Sequence, residues 1–192
     1  MNFYIYTLHN FHCICILPVN KIKNMGDQLN IIIPEQLRIL FVNEGSLTYT
    51  MQHLTGKIIG IEILQQKYER NEYKKPKLYM RFAWIETEIY TKLIFARSLW
   101  NILYNHAIYS KIKENYPIGN SFIKYKSDIY KHIHEVYYGY CYKLEKYLEC
   151  KSKIWGRKYT LYYGNKSYAT IQEIFSPHMI SFLTNYNILL NQ

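Results

Sequence analysis

Three arginines and one glutamate stand where charged side chains are uncommon. Arg81 interrupts the apolar run LYMRFAW, Arg97 follows Leu93–Ala96, and Arg157 follows Trp155–Gly156. Glu173 is their mirror, an isolated carboxylate between Ile171 and Ile174–Phe175. The chain has only five arginines, so three of them lie in or beside strand-like segments. Charged side chains seldom go inside unless paired. Two arrangements satisfy that rule. Glu173 can neutralise one of the arginines in a buried ion pair. Alternatively, the arginines grip the carboxylates of an acidic ligand through forked hydrogen bonds, and Glu173 is kept for proton transfer. A carboxylate walled by Ile171, Ile174 and Phe175 is expected to hold its proton more tightly than in water, which suits a general acid or base.

Other ligating residue types form weaker patterns. His9, His12, Cys13 and Cys15 cluster near the N-terminus, but structural zinc normally closes its four positions with paired clusters, so no metal site is assigned. His132 and His134 stand two apart, on one side of a strand, and read as a solvated pair. Four cysteines in 192 residues fall short of a disulfide scaffold, and a reducing compartment is expected.

The elements that must carry these residues can be read from pattern and punctuation. Pro34–Val42 opens with Pro and Glu, which suit a helix first turn, and Gly45 can stop it. Ser46 reads as the N-cap of a second helix that Gly56 ends, so two short helices meet in a corner at Asn43–Gly45. Lys57–Tyr68 is β-branched and reads as a strand. Leu78–Glu88 alternates, with Tyr79, Arg81, Ala83 and Ile85 on one face and Leu78, Met80, Phe82 and Trp84 on the other. Thr91–Leu99 is a third strand, Trp100–Lys113 is expected to be helical, and Pro117 ends it, leaving Ile118–Gly119 in a turn. Tyr130–Tyr142 favours a strand and Lys143–Cys150 a short helix. Tyr159–Tyr163 and Ser167–Phe175 flank the hairpin signal Gly164–Asn165. The sum is an α+β fold: a single domain with an antiparallel sheet of about six strands and flanking helices. Residues 26–192 form that domain, and residues 1–25 are set apart as an N-terminal extension, with Met25 as an alternative start.

A length of 192 residues suits one domain, and 49% apolar with 20% charged residues excludes wholesale disorder. The net charge of +10 would suit nucleic acid, but 19 lysines against five arginines, spread rather than blocked, argue against that partner. Many Lys, Tyr, Ile and Asn with few Gly, Ala, Arg and Pro is the residue usage of an AT-rich genome, as in an organelle or a parasite. No apolar run reaches the ~18 residues of a membrane span. The run from Phe3 to Val19 is broken by His9, Asn10 and His12, lacks a basic start and makes a poor signal peptide. The first arginine is Arg38 and the first serine Ser46, unlike a transit peptide.

The motifs also have an order. GSLT (Gly45–Thr48), the strand arginine of LYMRFAW, FARS (Phe95–Ser98), PIG (Pro117–Gly119), WGR (Trp155–Arg157) and QEIFSP (Gln172–Pro177) follow one another at compatible spacing. Together, over roughly Pro34 to Pro177, they resemble the chorismate pyruvate-lyase family, and more closely its branch of cyanobacterial proteins and plastid-encoded reading frames of algae. The resemblance implies conversion of chorismate to 4-hydroxybenzoate and pyruvate, for quinone biosynthesis, in an internal cavity closed by helical flaps. It places Arg81 at the ring carboxylate and Glu173 at the ring 4-hydroxyl end, where it would handle the proton. Leu47 of GSLT and Ile118 of PIG would offer backbone contacts, and Gly119, Arg97 and Arg157 would support the site from behind. Aromatisation of the ring drives such a reaction, so no metal or cofactor is implied. A monomer in the plastid stroma, encoded in the plastid genome, completes the expectation. The segment Tyr130–Lys153 departs from the bacterial type. The alternative is a non-catalytic domain of the same fold that binds an aromatic carboxylate. Effector domains of bacterial transcription regulators are of that kind, but they carry a winged helix-turn-helix, and only 33 residues precede Pro34 here.

Overall fold

The computed structural model describes residues 11–24, 33–69, 78–88, 91–101, 129–163 and 166–189. Seven strands form one sheet in which every neighbouring pair is antiparallel. They are β1 (Phe11–Pro18), β2 (Ile59–Glu69), β3 (Leu78–Thr87), β4 (Lys92–Asn101), β5 (Ile129–Cys141), β6 (Ile154–Tyr163) and β7 (Lys166–Phe175). Their spatial order is β1-β5-β6-β7-β4-β3-β2. The described helices are α1 (Val19–Asn24), α2 (Glu35–Val42), α3 (Leu47–Thr55), α4 (Tyr142–Leu148) and α5 (His178–Leu189). No helix among the described residues is long and apolar enough to cross a membrane.

The expected strands and the corner of two helices are present. Ser46 caps α3, its hydroxyl accepting from the Tyr49 N–H at 3.4 Å. Gly56 ends α3 in the left-handed region at φ 63°, which a residue with a Cβ rarely adopts. Two features differ from the reading above. The seventh strand is β1, which lies within residues 1–25 and pairs with β5 from Phe11↔Cys141 to Pro18↔Glu135. And Trp100 is not helical: it continues β4, opposite Tyr79 on one side and Ala169 on the other. Its indole N–H donates to the Ser98 hydroxyl at 2.7 Å, which fixes that strand end. Asn101 is the last residue of β4, and residues 102–113 of the expected helix, with Ile118–Gly119, lie outside the described residues.

Helices α2, α3 and α5 cover one face of the sheet. Leu37, Leu40, Phe41, Leu47, Met51, Met179 and Leu183 pack there against Ile85, Ile94, Phe175 and Trp155. Each such side chain, fully buried, stabilises the fold by roughly 1.5–3 kcal/mol. On the opposite face α4 sets Leu144 and Leu148 against Trp84, Phe95, Tyr137, Ile154 and Ile174. Strand alternation therefore feeds two apolar layers from the same strands.

Gly156 of the WGR motif is explained by that second layer. It pairs with Tyr137, and a Cβ at Gly156 would collide with the Tyr137 ring. Tyr137 is buried and packs edge-on against Phe11 of β1, at 5.0 Å between centroids. Gly156→Ala is therefore expected to lower the unfolding free energy by about 1–3 kcal/mol through overpacking, measured by denaturant titration.

Candidate functional site

The register of the sheet sorts the charged residues. On the face under α2, α3 and α5, side chains fall into rows across β3, β4, β7, β6 and β5. One row is Ala83, Ala96, Glu173, Arg157 and Val136, and the next is Arg81, Ser98, Ile171, Tyr159 and Ile133. Apolar rows lie on either side. Ile85, Ile94, Phe175 and Trp155 stand beneath the helices, and Tyr79, Trp100, Ala169 and Leu161 stand at the other end. The polar rows are thus enclosed along the strands by hydrophobic ones. Arg81, Glu173 and Arg157 are only 2%, 4% and 0% exposed.

Glu173 is held at both oxygens. Arg157 Nε donates to Oε2 at 2.7 Å, and the Tyr159 hydroxyl donates to Oε1 at 2.8 Å. Burial, and after it the charge of Glu173, pushes the Tyr159 phenol well above its ordinary range, so it stays a donor. Of the three apolar neighbours named from sequence, Ile171 and Phe175 share the face of Glu173, whereas Ile174 points into the opposite layer. The carboxylate's surroundings are set more by Arg157 and Tyr159 than by that run of apolar residues.

Arg157 also reaches the helices. Its Nη1 donates to the Leu40 carbonyl, and at 3.4 and 3.1 Å to those of Phe41 and Asn43. These are the last carbonyls of α2 and its C-cap, which carry the negative end of its dipole; that of Leu40 also accepts from the Asn43 N–H at 3.4 Å. Lys131, on β5, donates to the carbonyls of Gly45 at 2.5 Å and Asn43 at 3.4 Å. Asn43 closes the corner with its own amide, which donates to the Thr50 hydroxyl at 2.6 Å. Leu47 follows directly and is buried.

Arg81 is the cation at the other end. It lies one row along from Glu173 and two strands away, a backbone separation of about 12 Å from strand spacing and rise. On β4, the strand between the two, this face carries Ala96 and Ser98, with Ala83 beside Arg81 and Ile171 beside Glu173. Burial holds the Arg81 guanidinium below its ordinary range.

The structure therefore brings Arg81, Glu173 and Arg157 onto one buried face, with Leu47 in the helix layer above it. It does not bring Arg97 there. Arg97 pairs with Phe82 and Gln172, so alternation turns it to the opposite face, where its guanidinium stands over the Phe82 ring at 5.8 Å. Ile118 and Gly119 lie outside the described residues. Sequence reasoning missed Tyr159, Lys131 and the small residues Ala83, Ala96 and Ser98. A tyrosine among 22, or a lysine in a basic chain, gives no local signal. The small residues become visible only when the register of three strands is known.

Comparison with known proteins follows the same span. The family described as "Chorismate pyruvate-lyase Rv2949c-like" matches residues 41–183. An uncharacterized protein ycf21 of Antithamnion sp. is 39% identical over 170 residues, 86% of this chain and 93% of its own length. A ycf21 protein of Porphyra purpurea is 38% identical over 171 residues, 87% of this chain and 92% of its own. Among solved structures, gene product SA0254 of Staphylococcus aureus superposes with a TM-score of 0.51. At 10% identity, over 69% of this chain and 88% of that one, it is a likeness of fold alone.

The ion pair has a direct consequence for stability. Arg157→Met leaves Glu173 buried beside a single neutral donor and removes the guanidinium from the carbonyls of Leu40, Phe41 and Asn43. It is expected to cost about 3–5 kcal/mol in chemical denaturation. Glu173→Gln keeps an oxygen for Arg157, and its amide N–H can donate to the Tyr159 hydroxyl in turn, so it is expected to cost less than Arg157→Met in the same titration.

Proposed function

The chain belongs to the chorismate pyruvate-lyase Rv2949c-like family, and we propose that it converts chorismate to 4-hydroxybenzoate and pyruvate. The observation that carries the reading is the pairing of that family with one buried sheet face. On it a guanidinium and a carboxylate stand about 12 Å apart in backbone position, with Ala96 and Ser98 on the strand between them. A flat six-membered ring bearing a carboxylate at one end and a hydroxyl at the other suits such a floor. Arg81 would take the ring carboxylate by a charge-assisted fork. Glu173 would face ring C4 and its hydroxyl, with Leu47 and Ile118 adding backbone contacts.

The reaction breaks the ether bond between C3 and the enolpyruvyl oxygen. It also removes the hydrogen at C4 as a proton. The C4–H electron pair closes the aromatic ring, the ether electrons leave with the enolpyruvyl group, and that enolate takes a proton at its methylene carbon to become pyruvate. Atoms and charge balance without an oxidant. The protein's task is to orient the ring, exclude water and handle one proton. Glu173 is placed for the last of these. Its two oxygens are steered by Arg157 and Tyr159, so the carboxylate does not have to reorganise when the proton moves. Arg157 is then a support for Glu173 rather than a ligand of the ring carboxylate.

The ycf21 relatives are proteins of algal plastid genomes, and we place this chain likewise in a plastid genome and its product in the stroma. The 4-hydroxybenzoate would feed quinone biosynthesis.

Purified protein incubated with chorismate is expected to release 4-hydroxybenzoate, followed by ultraviolet absorbance and chromatography. Glu173→Gln should slow turnover by about 10²–10⁴-fold, the usual worth of a positioned proton-transfer group. Arg81→Ala should weaken 4-hydroxybenzoate binding by about 10–100-fold in calorimetry, as for the loss of a charge-assisted contact. Tight binding that depends on Arg81 without any turnover would leave an aromatic-carboxylate binding domain. Neither turnover nor binding would reduce the likeness to one of fold.

A further inference from the structure

The corner between α2 and α3 is tied to the sheet by two buried cations from different strands. Arg157 of β6 reaches the carbonyls of Leu40, Phe41 and Asn43, and Lys131 of β5 reaches those of Asn43 and Gly45, so the Asn43 carbonyl serves both. Arg157 has a carboxylate partner in Glu173. Among the described residues Lys131 makes no ion pair. Its ammonium is satisfied by backbone carbonyls and stands over the Tyr159 ring at 4.7 Å. An apolar side chain would fill the same volume without the desolvation of a charge. What the ammonium adds is directional: several N–H donors on a flexible stem, aimed at two carbonyls that bracket Glu44. Two residues past Gly45 comes Leu47.

We propose that Lys131 is a positioning residue, which latches the α2–α3 corner to the sheet and so sets the Leu47 backbone relative to Glu173. The latch stands on the hydrogen bonds alone. That Leu47 touches substrate rests on the lyase reading.

The latch is linked to a proton. The charged and titratable groups facing the ammonium are Arg157 and Tyr159 on β6, Glu173 on β7 and Glu44 in the corner itself. Burial first, then Arg157, lower the Lys131 ammonium from 10.5 to about 8, against the opposite pull of Glu173 and Glu44. Opening the corner returns the ammonium to water and to its ordinary basicity. Above pH of about 8 the opened form therefore binds the extra proton, and rising pH favours the closed form.

Amide hydrogen exchange over residues 43–47 of the full, ligand-free chain reads the latch without substrate. In Lys131→Met, exchange there should quicken about tenfold, as two charge-assisted hydrogen bonds are lost. Lys131→Gln, which keeps a donor, should fall between Met and wild type. From about pH 7.5 to about pH 9, after correction for intrinsic rates, the wild-type corner should become about eightfold better protected, with no such change in either variant. With chorismate, Lys131→Met should raise KM about tenfold and leave kcat within about threefold. Unchanged exchange in a Lys131→Met protein that melts like wild type overturns the latch. If Lys131→Met does not fold, wild-type protection that ignores pH overturns it instead. A wild type that exchanges as expected but turns over no chorismate would sink the lyase reading and leave the latch standing. Turnover with exchange untouched by either substitution would do the reverse.

Discussion

The buried contact between Arg157 and Glu173 is the interaction on which the rest depends. It joins two neighbouring strands at the same register position, and through the other end of the guanidinium it ties α2 to the sheet. One side chain thus fixes a carboxylate and anchors the helix layer that covers it. A pair so deep in the molecule is a poor source of net stability, because removing both charges from water costs about as much as their attraction returns. Its value is geometric. The carboxylate cannot drift without uncovering an arginine, and the helix cannot lift without stripping one.

That arrangement also dissolves the alternative posed from sequence, between a structural ion pair and a group kept for chemistry. Glu173 is in an ion pair, and the partner is Arg157 rather than Arg81. The arginine in the middle of β3 stands on the same face two strands from the carboxylate, across Ala96 and Ser98 of β4. Division of labour between the arginines follows from register: one is spent on the carboxylate, and the other stands two strands away from it. The same register turns Arg97 away from both, although its motif is as regular as theirs.

Much of the fold was legible because its signals are local. Alternation in Leu78–Glu88 named the correct face of β3, Ser46 and Gly56 bounded α3 by cap chemistry, and Gly164–Asn165 separated the last two strands. What escaped was non-local. β1 has a pattern no stronger than that of an exposed strand, with Ile14 and Ile16 facing outward, and it exists by pairing with β5 next to Gly139, where any side chain would strike the β1 backbone. Trp100 looked like a helix start because nothing near it in sequence reveals Tyr79 and Ala169 on either side. In the site the ionic residues stood out by being misplaced in apolar runs. Tyr159 and Lys131 did not, since tyrosine and lysine are abundant in this chain and their roles arise from partners far away in sequence.

The strand order holds a consequence for how the molecule comes to exist. β2, β3 and β4 form one meander and β5, β6 and β7 another, and the two meet at a seam between β4 and β7. Within each meander, contacts are near in sequence and form quickly, whereas the seam joins residues such as Ala96 and Glu173 that are far apart along the chain and must wait for a long loop to close. Arg81 belongs to the first meander, and Glu173, Arg157, Tyr159 and Lys131 to the second. Neither half therefore carries the buried polar face by itself during synthesis. That face is assembled whole at the moment the two ribbons zip together, while the pairing of β1 with β5, from Phe11↔Cys141 to Pro18↔Glu135, spans a still longer stretch of chain.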